Sequence, residues 1–338
     1  MHFFLYEWAS GGGLVNGPGA LPASLVREGV TMAGLLAADL MRIADTRVTA
    51  LRDPRVVELA MHGGTIIDVQ SSAEQLEEFE RLAAAADATI LIAPEFDGIL
   101  LQAARRVVAC GGRLLSPPPE FVRLAADKHE TCSRLAAAGV PVPMGVVVEP
   151  EQKLPADFSY PAVLKPVHGA GSQDTFLVAS AHDEPPSYAW PRRLERYMPG
   201  LAASVAFLCG PVCRVPLAPC KQRISADGRL RYQGGELPLA AGLGQRAVAL
   251  ADRALAALPD SRGYVGVDLV LGCDPGGTED FIVEVNPRLT TSYVGLRAAA
   301  KSNLAEAMIR VAEGQASPVD FLTRSLEFDA LGNVSFLP

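Results

Sequence analysis

The sequence predicts an α/β unit followed by an α+β body, and three observations carry that reading. Residues 1–115 alternate short apolar strands with helix-length segments, the pattern of a mostly parallel sheet. Ser116-Pro117-Pro118-Pro119 then breaks the alternation and marks a boundary. Further on, two runs with period two, Tyr264 to Leu271 and Phe281 to Asn286, flank a turn-forming Cys-Asp-Pro-Gly-Gly-Thr, as an antiparallel hairpin requires.

A chain of 338 residues has room for two or three domains with a sizeable core. Its 30 basic and 38 acidic residues leave a net charge of −8, which excludes a non-specific nucleic-acid binder. The six cysteines form no Cys-x-x-Cys pair and lack zinc-type histidine spacing, so reduced thiols are expected and a structural metal site is not. Phe3-Phe4-Leu5 is apolar, but no basic segment precedes it and no signal-length apolar core surrounds it. No run reaches the ~18 uninterrupted apolar residues of a membrane span. The expectation is a cytoplasmic protein with neither membrane nor nucleic acid as partner.

Within the first unit, strands are expected near residues 3–6, 48–51, 65–69 and 88–93, and helices near 25–41 and 73–86. Ser10-Gly11-Gly12-Gly13 follows the first strand without the G-x-G-x-x-G spacing of a dinucleotide site. Ligands of open α/β sheets bind at strand ends, which makes Glu7, Ser10, Gly11, Gly12 and Glu95 substrate-binding candidates. Ordinary turn chemistry accounts for the glycines equally well.

Beyond the boundary, Asp127 and Glu130 have the spacing of a capping box, and Gly139 supplies a helix end. Lys128 would then occupy the first helical position, where a cation opposes the helix dipole. That calls for an anionic partner, unless Lys128 is simply a solvated lysine. Val163 and Lys165 share a strand face, and burying an unpaired ammonium is costly, so Lys165 is expected to meet a negative charge. The following His168-Gly169-Ala170-Gly171-Ser172 loop lets backbone N–H groups approach oxygens, although no Gly-Lys-Ser/Thr closes it as a P-loop. Residues 195–200 read as a hinge between two lobes.

In the hairpin, period two puts Phe281, Val283 and Val285 on one face and Ile282, Glu284 and Asn286 on the other. The expected register sets Asp268 opposite Glu284 and Leu269 opposite Val283. Facing carboxylates repel. A hard divalent cation held by Asp268, Glu284 and Asn286 would offset the repulsion, whereas a solvated polar face explains the same spacing without a metal. Arg288, after the strand-ending Pro287, falls where a guanidinium can meet phosphate or carboxylate oxygens.

Lys128, the Val163-Leu164-Lys165-Pro166 strand, the glycine loop, the Glu195 to Gly200 hinge, Asp268 and Glu284-Val285-Asn286-Pro287-Arg288 occur in the order typical of the ATP-grasp superfamily, which the chain resembles. The resemblance implies a Rossmann-like pre-ATP-grasp domain over 1–115 and a two-lobed ATP-grasp fold. Its small lobe would span 116–196 and its large lobe 197–312, with 313–338 as a tail. It further implies ATP between the lobes, its phosphates on Lys128, Lys165 and the loop of His168, Gly169, Gly171 and Ser172. Adenine would lie against Glu195, Arg196, Tyr197 and Met198, and Asp268, Glu284 and Asn286 would hold magnesium, or manganese in its place. Ala202 departs from the pattern, standing where many relatives carry a ribose-binding glutamate.

A longer likeness, through Tyr6 to Gly13, Glu28-Gly29, Ala93-Pro94-Glu95, Tyr232 to Gly235 and Pro287 to Gly295, is to the ATP-grasp ligases of methanofuran biosynthesis, which join tyramine to glutamate. It implies a small-molecule carboxylate and an amine as partners, and activation of the acid as an acyl phosphate, with Arg288 and Lys165 as catalytic residues. Tyr293 either lines the acceptor pocket or packs. A phosphotransferase and a non-catalytic ATP-binding regulatory protein remain alternative readings, and a homodimer is compatible with the sequence.

Overall fold

Phe3, Phe4 and Leu5 are fully enclosed, so the first strand is apolar on both faces and lies inside a sheet with both faces covered. The structure, a computed structural model, describes residues 1–337 except Pro18, Ala20, Ala60 and His62. The first unit comprises β1 (His2–Glu7), α1 (Ala23–Met41), β2 (Arg47–Arg52), β3 (Thr65–Asp68), α2 (Ser72–Ala85), β4 (Ala88–Ile92) and α3 (Ile99–Ala109). The strands run parallel in the order β3-β2-β1-β4. Phe3 and Leu5 face α1, while Phe4 and Tyr6 face α2 and α3.

Next come α4 (Pro119–Ala126) and α5 (Lys128–Ala137). Proline at the start of α4 needs no N–H there. Asp127 caps α5 by accepting the Glu130 N–H at 2.7 Å, but the Glu130 carboxylate turns to Arg123 at 2.8 and 2.9 Å, so the box is one-sided. Phe121, Leu124, Ala125 and Leu135 of these helices pack with Val205, Phe207, Ile282 and Val285. They belong to the large-lobe core, not to the small lobe expected from residue 116. The small-lobe sheet is made of β5 (Gly145–Val148), β6 (Ala162–Pro166), β7 (Phe176–Val178) and β8 (Arg192–Arg196), in the antiparallel order β5-β8-β6-β7. Its own core is small, chiefly Val148, Leu154, Ala162, Leu164, Val178 and Leu194.

The chain crosses to the large lobe at Gly200, whose φ is +155° and where a Cβ would lie 2.4 Å from the Leu271 carbonyl oxygen. Only glycine fits that crossing. The large lobe contains β9 (Leu201–Cys209), β10 (Arg214–Pro216), β11 (Cys220–Ile224), β12 (Tyr232–Leu237), α6 (Ala241–Ala256), β13 (Gly263–Leu271), β14 (Phe281–Asn286), α7 (Ser292–Ala299) and α8 (Leu304–Ala312). The segment expected to be a tail supplies β15 (Leu326–Phe328) and β16 (Val334–Phe336). With β15 paired to β12, the sheet order is β14-β13-β9-β11-β12-β15-β16, and β10 lies beside β9.

Asp268 stands opposite Glu284, as the hairpin register predicts, but Leu269 stands opposite Ile282 rather than Val283. Val283 is the extra residue of a β-bulge. The bulge turns Ile282 into the core beside Val285 and leaves Val283 with Glu284 on the cleft side. Period two alone had placed Ile282 and Val283 on the wrong faces.

The α1 side of the N-terminal sheet and the large lobe share one core, in which Leu36 and Leu40 join Leu304, Met308 and Ile309. Asp39 fastens the contact. It receives Arg297 at 2.9 and 2.7 Å and the Tyr293 hydroxyl at 2.8 Å, and Asn303 donates to its carbonyl at 2.7 Å. All six cysteines are free. Among the described residues, no helix is long and apolar enough to cross a membrane.

Candidate functional site

A cleft of about 600 Å³ opens between the small-lobe sheet and the large-lobe sheet. Lys165, in the middle of β6, lines it; its Nζ lies 2.6 Å from Glu195 Oε1 on β8 and donates to the Val283 carbonyl at 3.3 Å. The negative charge expected beside Lys165 is therefore Glu195. The other Glu195 oxygen accepts Arg193 Nε at 2.8 Å, and Arg193 also donates to His129 Nδ1 at 2.8 Å. Burial by itself would depress the Lys165 pKa, but Glu195 and Glu284 more than reverse this and keep the side chain cationic.

Lys128, at the head of α5, has its expected anionic partner: Nζ lies 2.8 Å from Glu284 Oε1, and it donates to the Gly169 carbonyl at 2.6 Å. Gly169, Gly171 and Ser172 line the cleft, the last two with φ of 64° and 56°. His168 does not line it. Its ring is half exposed, with Nδ1 3.2 Å from the Ala126 carbonyl. Arg196, Tyr197, Met198 and Ala202 form the hinge end. The Arg196 and Tyr197 N–H groups are engaged by Met144 and Pro161 carbonyls, whereas that of Met198 has no partner among the described residues.

Across the hairpin, Asp268 accepts Gln222 Nε2 at 2.9 Å and Asn286 Nδ2 at 3.0 Å. Burial and then the facing Glu284 push its carboxyl up to about 7. Burial pushes Glu284 the same way, but Lys128 and Lys165 override it and hold that carboxyl below its ordinary value. The pair is short of positive charge on the Asp268 side, and its donors are hard oxygens, so the residues fit a divalent cation. The Asn286 amide points its nitrogen at Asp268 here; turned over, it presents its oxygen instead.

A carboxyl whose pKa is raised by folding contributes stability below its unfolded value, near pH 4, and that contribution is lost as pH rises through about 7, a loss of a few kcal/mol. The metal-free protein should therefore lose thermal stability between pH 5 and 8 more steeply than Asp268→Asn. Parallel melting profiles of the two proteins would contradict this charge assignment.

Arg288 reaches the cleft from the other side. Its Nε donates to Glu95 Oε1 at 2.9 Å and its Nη1 to the Leu289 carbonyl at 3.2 Å, leaving Nη2 without a partner among the described residues. Burial opposes its charge, but Glu95, Glu28 and Glu284 outweigh burial and raise its pKa.

Six substrate candidates do not line the cleft. Glu95 is buried behind Arg288 and reaches the cleft only through it. Glu7 is buried and accepts the Ala9 and Ser10 N–H groups at 3.0 and 2.7 Å, tying its own turn. Ser10, Gly11 and Gly12 belong to that turn; the Gly11 N–H bonds the Glu7 carbonyl at 2.7 Å. A Cβ on Gly29 would lie 2.4 Å from the Glu7 carboxyl carbon, so glycine is required there. Tyr293 is 1% exposed and bonded to Asp39, a packing residue at the contact between α1 and α7.

The cleft also contains Gln222, which no sequence motif singles out, and Glu28, Tyr232 and Thr290, which belong to the runs that carry the longer likeness. Gln222 and Asp268 meet only because β9 separates β11 from β13, an order that no local pattern announces.

An ATP-grasp domain family model matches residues 125–292 and a pre ATP-grasp 3 domain model matches 46–122. A tyramine–L-glutamate ligase of Methanocaldococcus fervens is 24% identical over 234 residues, 68% of this chain and 67% of that one. A putative ATP-grasp superfamily protein from Archaeoglobus fulgidus superposes with a TM-score of 0.72 at 20% identity, over 97% of this chain and 92% of the other. An L-amino acid ligase from Bacillus licheniformis superposes with a TM-score of 0.70 at 15% identity, over 96% and 78%.

Proposed function

Because the chain belongs to the ATP-grasp superfamily, we propose that it is an ATP-dependent carboxylate–amine ligase that joins glutamate to tyramine. One observation carries the ligase reading: Lys128, Lys165 and Arg288 converge on the same cleft as the Asp268, Glu284 and Asn286 oxygens. That set suits a polyphosphate with its cation next to a reacting carboxylate. The substrate pair rests on the tyramine–L-glutamate ligase relative.

In this reading adenine lies at the hinge, where the Met198 N–H is available as a donor. Lys128 and Lys165 transfer their ammonium groups from Glu284 and Glu195 to phosphate oxygens, assisted by the Gly169 to Ser172 loop. Asp268, Glu284 and Asn286 would hold magnesium, which when bound neutralises phosphate charge. The substrate carboxylate attacks the γ-phosphorus as the bond to ADP breaks, and Arg288 Nη2 meets the charge that develops there. The amine then displaces phosphate from the acyl phosphate. No protein nucleophile takes part.

With both substrates and magnesium-ATP, purified protein should release ADP and form a glutamyl amide detectable by mass spectrometry. ADP release at full rate with glutamate alone, or with other amines but never tyramine, would count against the pair.

Lys165→Met should weaken ATP binding at least about tenfold, since a charge-assisted contact to phosphate is lost. It should also lower the melting temperature, because Glu195 keeps Arg193 but loses its second cation. Calorimetry showing unchanged nucleotide affinity would remove Lys165 from the phosphate site.

A further inference from the structure

We propose that Glu28 receives the ammonium group of the acceptor amine, an inference that rests on the ligase reading above. Glu28 lies on α1, in the N-terminal unit, yet it lines the cleft together with Arg288, Thr290, Thr291, Ser292 and Tyr232. The Thr291 hydroxyl donates to its Oε1. Its Oε2 has no hydrogen-bond partner, and the carboxylate forms no ion pair, among the described residues. Arg288 stands near enough to feel the Glu28 charge but pairs with Glu95 instead, and an acid at a cleft wall with no ion pair of its own is a receptor for a cation brought by the ligand.

The surrounding charges choose between the two substrates. Arg288 is the lining cation nearest along the chain, three residues before Thr291, and its Nε is already committed to Glu95. Glu95 Oε2 is buried without a partner, and the enclosed Glu7 lies against Gly29, next to Glu28. A substrate carboxylate at Glu28 would meet this excess of negative charge, whereas an ammonium would balance it. The acid therefore takes the Arg288 side and the amine the Glu28 side, with the Tyr232 ring beside the amine's body.

This placement also serves the second half-reaction. The ammonium loses one proton, through Glu28 to solvent. Its nitrogen then bonds to the acyl carbon as the carbon–oxygen bond to phosphate breaks. Phosphate leaves with the electron pair and takes the second proton.

The test compares wild type, Glu28→Gln and Glu28→Asp, each confirmed folded by its thermal transition. Each receives magnesium-ATP and glutamate with either tyramine or hydroxylamine. Hydroxylamine is small and largely uncharged at neutral pH, and its hydroxamate product reports the acyl phosphate. Glu28→Gln should lower the ratio of tyramide to hydroxamate about thirtyfold, and Glu28→Asp should recover part of it. An unchanged ratio would overturn the assignment. In a second measurement, calorimetry with ADP present should show wild type preferring tyramine to the uncharged 4-ethylphenol and Glu28→Gln losing the preference. Equal affinities in wild type would also overturn it. If wild type yields no hydroxamate, the ligase reading fails, and the binding comparison alone decides the role of Glu28.

Discussion

Glu284→Gln is expected to reduce magnesium-dependent turnover by about 10³-fold or more while leaving a folded protein. The amide keeps an oxygen for Lys128 Nζ, now 2.8 Å from the carboxylate, but removes the charge that a cation and its bound phosphates require. The facing Asp268 alone predicts that neutralising Glu284 removes a repulsion and leaves the fold largely intact. Lys128 and Lys165 change that balance: they already hold Glu284 ionised, and the variant should be slightly less stable. Turnover measured across a magnesium titration, together with a melting curve, checks both parts. Wild-type turnover at ordinary magnesium concentrations would remove Glu284 from the metal set.

Arg288→Lys should lower kcat by about 10²- to 10³-fold with ATP affinity within a few-fold of wild type, because the lost interaction belongs to the reacting centre and not to the nucleotide. Arg288 divides its guanidinium between Glu95 on Nε, the Leu289 carbonyl on Nη1 and the cleft on Nη2. A lysine ammonium is a single point of charge on a flexible chain. It can satisfy buried Glu95 or face the cleft, but does not reproduce the fork. An unchanged kcat with a large rise in the KM for ATP would instead make Arg288 a nucleotide-binding residue.

Much of the fold was legible because each motif carries its own local cause. Alternation of strand and helix before residue 115, the Asp127 cap of α5 and the hairpin that sets Asp268 against Glu284 all follow from periodicity and turn chemistry. The failures have a common origin in contacts between distant segments. Nothing near Val283 signals the bulge that turns it to the cleft, and nothing near Leu326 shows that β12 lacks a neighbour until the sheet is assembled. Helices α4 and α5 adjoin the small lobe in sequence but fill the large-lobe core. In the site, Lys165 was legible as a lysine needing a partner because unpaired buried charge is costly, and Lys128 because a cation at the first helical position opposes the helix dipole. Glu95, Glu7 and Tyr293 were misplaced for the complementary reason. A strand end or a polar run does not reveal whether its side chain is spent on a turn, an arginine or a neighbouring helix, as these three are. Glu28 sits mid-helix with no local peculiarity, and only the packing of α1 against the large lobe carries it to the cleft.

Carboxylate activation by phosphorylation is the step on which the proposed ligase function depends. It is tested most directly by supplying glutamate labelled with oxygen-18 in its carboxyl groups, with tyramine and unlabelled magnesium-ATP, and weighing the phosphate released. An acyl phosphate intermediate transfers one labelled oxygen into each phosphate formed. Phosphate free of label, with amide still produced, would rule out an acyl phosphate.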